Sequence, residues 1–401
     1  MTPLTWLAVI GGGLILAFCL GIRYTFGLFL PPMTIDLGIG REAFAFALGI
    51  QQILWGVFQP PCGMVADKYG AGRVLLAGAV AYALGLVIMA YASDPLTLNL
   101  SVGVLVGFAV AATSFAVVLG AVGRLAPPER RGRALGIASA GGSLGQFIMI
   151  PAGHALLAGF GWSTALLLMA VLSALMVPLA LPLKGRPARG DGAQGLQGAL
   201  AEAAGHSGYW YLTAGFFVCG FHVAFIAFHL PAYLTDIGLS ADTGAIALTL
   251  IGFFNIVGTY GFGALGDRLS KKYLLAVLYG LRGLIIALFI FLPKSELSVY
   301  LFASAMGLLW LGTVPLTSGL LAQIFGVRYM GTLFGIAFFS HQLGSFLGVW
   351  LAGRLFDITG SYDTVWLIAI ALGVLAGLIN MPIADRPLRR DAVPVAGAPG
   401  Y

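Results

Sequence analysis

A short polar segment occurs twice in this chain, each time between two long apolar runs. The two copies share a glycine, an acid and a base, and they comprise Gly63, Asp67, Lys68 and Arg73 in the first and Gly263, Asp267 and Arg268 in the second. Thr113 and Thr313, and Gly153 and Gly353, repeat at the same offset of 200 residues. An internal duplication of this kind predicts a fold of two similar halves.

The apolar runs predict a membrane protein. Of the 401 residues, 59% are hydrophobic and 9% are charged, whereas a soluble protein carries about a quarter charged residues. Runs of about 20 apolar residues match the thickness of a bilayer. We place them at roughly 5–30, 43–64, 73–92, 96–121, 133–158, 163–183, 209–234, 243–264, 273–293, 297–322, 332–356 and 363–384. The fold class predicted is an all-α membrane protein of twelve transmembrane helices, in two six-helix bundles related by a pseudo-twofold axis.

The basic residues predict the orientation in the membrane. With the amino terminus in the cytoplasm, only Arg41, Lys294 and Arg354 of the 21 lysines and arginines fall outside, and Arg23 and Arg282 fall within apolar runs. This bias is the positive-inside pattern. It predicts a multi-pass protein with both termini cytoplasmic, and the compact chain favours the plasma (inner) membrane. Membrane topology explains the distribution of the basic residues and hence the net charge of +6. The expected partner is therefore the lipid bilayer, and no nucleic acid is expected.

A polar, glycine-rich and basic stretch divides the chain. It predicts a cytoplasmic linker at 184–208 between an N-terminal bundle at 1–183 and a C-terminal bundle at 209–401. Parallel repeats of this kind place a substrate between the halves near the midplane of the membrane. The expected mechanism is rocking of one bundle against the other.

The repeated polar turns resemble the signature of the major facilitator superfamily, which follows the second and eighth spans of that fold. The resemblance covers essentially the whole chain. It implies that the first, fourth, seventh and tenth helices line a central cavity. It also implies a conformational latch made of Asp67, Lys68, Arg73, Asp267 and Arg268. The alternative for these charges is that they only orient the loops.

A narrower resemblance follows the fourth span. Residues 130–145 are similar to the fifth-helix motif R-R-x-x-A-x-G-x-A-x-A-G-x-x-x-G of the monocarboxylate and oxalate–formate transporters, and residues 24–29 resemble that branch as well. In that family a substrate-binding arginine lies in the eighth helix. The matching position is Thr259, and the preceding partner position is Asn255. The resemblance therefore implies the branch but not the substrate.

Acidic residues are missing from the middle of every predicted span, whereas Arg23 lies well inside the first. Exporters of cationic drugs usually need an intramembrane carboxylate. A buried arginine normally faces the bundle interior, where it meets a partner or a substrate. Without a carboxylate, Arg23 predicts an anionic ligand. The alternative is pairing with backbone carbonyls, or with Asp36 and Asp236 near the outer surface.

Histidines are the candidate proton carriers. His222 and His229 lie on one face of the seventh span, and His341 lies on the eleventh. The repeat aligns His222 with Ile22, so we expect His222 at the depth of Arg23. Imidazole carries protons near neutral pH, which makes His222 and His341 candidates for proton coupling. A helix–helix hydrogen bond is the alternative for each.

Polar residues on the predicted lining faces complete the candidate substrate site. The site predicted comprises Arg23, Tyr24, Thr113, His222, Asn255, Thr259, Trp310, His341 and Gln342. Arg282 lies on the peripheral ninth span, where a structural role is favoured.

The function expected is secondary active transport of a small organic anion of monocarboxylate type, coupled to protons and carried out by a monomer. The alternative is a drug or amphiphile exporter of the same fold. An enzyme is not expected, since the sequence lacks a phosphate-binding loop, a metal-ligand spacing and a plausible Ser-His-Asp set. No cofactor or metal is predicted.

Overall fold

The computed structural model describes residues 3–127, 131–183, 196–326 and 330–388, and it places no strand among them. The helices of the first part are α1 (Pro3–Leu37), α2 (Arg41–Tyr69), α3 (Ala71–Ala90), α4 (Pro95–Leu98), α5 (Val106–Thr113), α6 (Phe115–Leu125), α7 (Arg131–Ala174) and α8 (Met176–Leu179). Those of the second part are α9 (Leu196–Ala204), α10 (Ser207–Asp236), α11 (Ala241–Gly266), α12 (Lys271–Phe291), α13 (Glu296–Leu308), α14 (Thr313–Phe325), α15 (Met330–Thr359) and α16 (Asp363–Asn380). A π-helix joins α4 to α5.

Ten helical segments of the described part are long and apolar enough to cross a membrane. The helix α2 is not among them, although it has 29 residues. Its polar side chains explain this, because Gln51 and Gln52 are fully buried and Gln51 Nε2 donates to the carbonyl of Val102 at 3.2 Å. Amides that bond to neighbouring helices lower the hydropathy of a span without exposing polar groups to lipid.

The same helix pairs pack in each half. In the N-terminal half α1 packs on α7, and in the C-terminal half α10 packs on α15. Glycine makes both contacts possible, because a Cβ at Gly145 would overlap the carbonyl of Ala17, and one at Gly344 would overlap the carbonyl of Phe217. Small residues of this kind let backbones approach closely in membrane bundles.

Two predicted spans break within about five residues of equivalent positions in the repeat. The fourth breaks at Ser114, which has extended backbone between α5 and α6, and the tenth breaks between Leu308 and Thr313. Next to these breaks, Thr113 Oγ1 donates to Cys19 Sγ at 3.2 Å, and Cys219 Sγ lies 3.1 Å from Thr313 Oγ1. The duplication seen in the sequence thus recurs in the side-chain contacts.

The predicted linker at 184–208 is described only in part. The short helix α9 occupies Leu196–Ala204, and residues 184–195 lie outside the described ranges. The bundle boundaries at 183 and 209 stay predictions.

Candidate functional site

Arg23 lies on α1 with 3% of its surface exposed. Its Nη2 donates to Gln52 Oε1 on α2 at 2.7 Å, and its Nε has no hydrogen-bond partner among the described residues. The two carboxylates weighed as its alternative partners bind other groups: Asp36 accepts from Trp162 and Asp236 from Arg41. In the described part of the chain, no salt bridge of Arg23 is recorded. The buried guanidinium therefore has an amide but no counter-ion.

Three aromatic rings surround this guanidinium. Its Cζ lies 4.8 Å from the ring centroid of Trp55, 5.3 Å from that of Tyr24 and 5.4 Å from that of Phe228. Aromatic faces attract cations at such distances. Phe228 belongs to α10, so the charge lies at the interface of the two halves.

A chain of amides links Arg23 to His341 on α15. Gln342 Nε2 donates to the backbone carbonyl of Gln52 at 3.2 Å, and Gln342 Oε1 lies 2.9 Å from His341 Nδ1. Because that oxygen accepts, Nδ1 carries the proton in this arrangement. The structure thus brings together four of the predicted residues, namely Arg23, Tyr24, His341 and Gln342.

His222 lies elsewhere in the C-terminal half. Its Nε2 donates to the carbonyl of Ala369 on α16 at 2.8 Å, and its Nδ1 is buried without a partner. The contact of Arg23 with α10 is made by Phe228 instead. The hydrogen bond between helices, weighed as the alternative for this histidine, is present.

Asn255 and Thr259 lie at the break of the tenth span. Asn255 Oδ1 accepts from the backbone N–H of Leu311 at 3.2 Å and from Thr259 Oγ1 at 3.0 Å. Trp310 is fully buried beside them, and its indole N–H has no partner in the part of the chain that the structure describes. These three predicted residues form a group of their own, separate from the contacts of Arg23.

The break of the fourth span has an equivalent support. Trp55 Nε1 donates to Ser114 Oγ at 3.0 Å, and Trp55 is related to Asn255 by the 200-residue repeat. Thr113 packs beside this break through its bonds to Cys19 and to the carbonyl of Ala109. Trp55 is not among the residues predicted from the sequence, although it lies three residues after Gln52 and so shares its helix face. Phe228 is not among them either, and the sequence offered no signal for it.

Arg282 has a different environment from Arg23. Its Nε and Nη2 donate to the carbonyl of Leu309 at 3.1 and 2.6 Å, and Nη2 also donates to the carbonyl of Trp310. These carbonyls end α13, where no helical N–H reaches them. Arg282 therefore caps the break of the tenth span from α12.

The predicted latch residues lie at the loop ends of their helices. Lys68, Arg73, Asp267 and Arg268 are exposed, and among the side chains that the structure describes no salt bridge is recorded for them. Lys68 Nζ lies 5.1 Å from the ring centroid of Tyr69. The side chain of Asp67 lies outside what the structure describes. Whether these residues act as a latch stays a prediction.

The two halves meet at the end that carries the α1–α2 and α15–α16 connections, which we call the outer end. Arg41 of α2 donates to both carboxylate oxygens of Asp236, at 2.5 and 2.6 Å. Asp357 of α15 accepts from the backbone N–H groups of Arg41 and Glu42 at 3.0 and 2.9 Å. Gly40 supplies no side-chain cap to α2, so an acid of the other half caps this helix.

A tyrosine extends the contact of Arg41 into the C-terminal half. The Tyr362 hydroxyl accepts from Arg41 Nη1 at 3.0 Å and lies 3.0 Å from His229 Nδ1. Burial raises the pKa of Tyr362 above its usual range, so the hydroxyl keeps its proton and donates to His229. His229 in turn donates from Nε2 to the carbonyl of Val349 at 2.8 Å.

A helical bundle that embeds in a membrane and buries a charged group between two repeats defines a membrane transporter. The chain belongs to the Major Facilitator Superfamily, whose family model matches residues 12–349. The family predicted from the repeated polar turns is thereby confirmed.

Similar proteins agree with this assignment. The chain is 26% identical to the MFS-type transporter YcxA of Bacillus subtilis over 92% of this chain and 93% of that one. It is 28% identical to monocarboxylate transporter 13 of Bos taurus over 94% and 89%. A solved bacterial homolog of the human lysosomal transporter Spinster, inward-facing and occupied, matches with a TM-score of 0.77 at 15% identity, over 96% of this chain and 99% of that one. That structure supports the fold alone.

Proposed function

We propose that this chain is a secondary active transporter that moves a small monocarboxylate-like anion by alternating access and couples it to protons. The observation that carries the proposal is the buried guanidinium of Arg23, which donates to the Gln52 amide and to no carboxylate in the described part of the chain. An unpaired charge in a membrane bundle costs several kcal/mol. A bound carboxylate removes much of that cost.

The surroundings of Arg23 favour one carboxylate with an apolar remainder. The unpartnered Nε–H of Arg23 is a free donor, and guanidinium groups bind carboxylates through paired N–H donors. The rings of Tyr24, Trp55 and Phe228 line the rest of the site. One cation among aromatic rings suits a monocarboxylate better than a dicarboxylate. The similarity to monocarboxylate transporter 13 supports the same class.

His341 is the stronger of the two candidates for proton coupling. The amide chain through Gln342 and Gln52 connects its Nδ1 to Arg23. A proton gained by His341 adds a positive charge to the same network that binds the anion. His222 remains the second candidate through its free Nδ1, although its other nitrogen is fixed by α16.

We infer twelve membrane crossings. The segment Ala134–Leu179 has 46 residues, or roughly 69 Å at 1.5 Å per residue, which is twice the hydrocarbon thickness. Its backbone is non-helical at Gly161, with φ 74° and ψ 169°, so we assign two crossings to it. With two crossings in this segment and one more in α2, the ten apolar spans give twelve crossings. We infer that both termini lie in the cytoplasm and that the protein resides in the inner membrane of the cell.

We also infer that the structure represents the state closed to the outside. Contacts between the halves run along α2 from Arg41 to Trp55 and along α7 from Ser143 to His154. For the cytoplasmic ends of these helices, no such contact is recorded in the described ranges. The site and the closure both form within one chain, which supports function as a monomer.

The test is thermal stabilisation of the purified protein by a panel of small carboxylates, with Arg23→Gln and Arg23→Lys as variants. A ligand that binds the folded state raises its stability by mass action. We expect one carboxylate class to stabilise the wild type and to bind Arg23→Gln about 10- to 100-fold more weakly, the effect of a charge-assisted hydrogen bond. Lysine should restore part of the affinity. Equal stabilisation of wild type and Arg23→Gln would overturn the anion site.

The aromatic rings favour a second candidate, export of flat amphiphilic compounds. In that case neutral amphiphiles, and no carboxylate, stabilise the wild type, and cells that overproduce the protein resist those compounds. The same panel separates the two functions.

A further inference from the structure

Two acid–base contacts at the outer end are related by the 200-residue repeat. Arg354 Nη1 of α15 donates to Glu42 Oε2 of α2 at 2.8 Å, and His154 Nε2 of α7 lies 2.6 Å from Asp242 Oδ1 of α11. Positions 42 and 242 are equivalent, and so are positions 154 and 354. The duplicated fold therefore ties its halves together twice in the same way, once with arginine and once with histidine.

The two bases respond differently to pH. A guanidinium stays charged under all physiological conditions, whereas imidazole groups change charge between about pH 5 and 8. The Glu42 contact also has further support, because Trp350 Nε1 donates to Glu42 at 3.2 Å and Asp357 caps the same helix end. Asp242 is 76% exposed, so water competes with His154 for its carboxylate. The strength of this contact therefore depends on the charge of the imidazole.

Asp242 is the charged group that His154 faces. Of the elements packed against α7, α1 carries Asp36 at its outer end, and that carboxylate accepts from Trp162 at 2.7 Å. Tyr91 follows the outer end of α3. The helix α11 contributes Asp242. Within the described residues, the polar contact recorded for His154 is the one to Asp242.

We propose that His154 is a second point of proton action, separate from the proton-coupling histidine, through which protons on the outer side control the closure of the outer end. When protonated, it binds Asp242 as an ion pair, holds α7 against α11 and favours the state closed to the outside. When neutral, it keeps at most a hydrogen bond, which is weaker than the charge-assisted one. The closure is thus strongest at low external pH and weakens as the pH rises. This proposal goes beyond the proposed function, because it requires alternating access but neither Arg23 nor a particular substrate.

The test measures the opening of the outer end directly. Spin labels at Ser93→Cys and Leu297→Cys place one exposed reporter on each half, and the three native cysteines are buried. Electron–electron double resonance in lipid nanodiscs, without substrate, compares the distance distributions at about pH 5.5 and pH 8, which bracket imidazole titration. We expect the open population to rise about two- to fivefold at the higher pH, the range for an exposed ion pair.

Exchanging the two bases gives the decisive variants. His154→Arg should keep the outer end closed at both pH values, and Arg354→His should make the response to pH larger than in the wild type. His154→Gln should abolish the response, and His206→Gln, at the other end of the molecule, should leave it intact. An unchanged response in both His154 variants would overturn the proposal, and so would the absence of any response in the wild type. The spin-label experiment contains no carboxylate substrate. Its result can therefore be interpreted even if the proposed transport of monocarboxylates is wrong.

Discussion

The two buried arginines of this protein share a residue type and differ in their partners. Arg282 donates to two backbone carbonyls at the break of the tenth span, whereas Arg23 donates to one side-chain amide and lies among three rings. Backbone carbonyls at a helix break are fixed and always present. A side-chain amide leaves room for a better acceptor. The comparison indicates that the partner, rather than burial alone, distinguishes the structural arginine from the candidate ligand-binding one.

The largest expected effect is on stability. Arg282→Gln leaves the carbonyls of Leu309 and Trp310 without their donor, so we expect a loss of about 2–4 kcal/mol in the free energy of unfolding. Arg23→Gln removes a buried charge without a counter-ion, so we expect a change below about 1 kcal/mol or a gain. Thermal unfolding in the same detergent measures both. A greater loss for Arg23→Gln would reverse the comparison.

The next prediction tests whether proton coupling depends on the amide chain that links Arg23 to His341. His341→Gln should reduce accumulation driven by an inward proton gradient at least about tenfold, the scale of a lost charge-assisted interaction. Exchange of substrate across the membrane without a gradient should continue, because the anion site stays intact. Uptake and counterflow in proteoliposomes measure the two activities.

His222→Gln is the matched control for that experiment. This histidine bonds to α16 rather than to the amide chain, so we expect proton-driven accumulation to persist in the variant. Loss of accumulation in His222→Gln with normal accumulation in His341→Gln would assign the coupling to the other histidine.

The smallest effect compares two tryptophans, one beside each arginine. Trp55→Phe loses the bond to Ser114 and weakens the aromatic contact with Arg23, so we expect about three- to tenfold weaker carboxylate binding. Trp310→Phe removes an indole N–H that has no partner, so we expect a smaller change. Calorimetric titration with the stabilising carboxylate measures both, and a larger loss in the Trp310 variant would contradict the assigned site.

The sequence determined the repeat, the all-helical membrane fold and the lack of acidic residues in the middle of the predicted spans. These follow from hydrophobic run length and from residue identity, which are local properties of a chain in a bilayer. The family followed from the same polar turns. For this reason the family and the all-helical fold could be predicted from the sequence, whereas Arg23 as the centre of the candidate site stays a prediction.

Only the tertiary structure decided which predicted residues meet. The sequence predicts both His222 and His341 within spans. Helix rotation and packing determine that His222 contacts α16, whereas His341 contacts the amide chain. For the same reason Asn255 contacts the break of the tenth span rather than Arg23. The pairing of His154 with Asp242 joins residues 88 positions apart. Such contacts depend on how whole helices cross, which the order of residues along one helix does not specify.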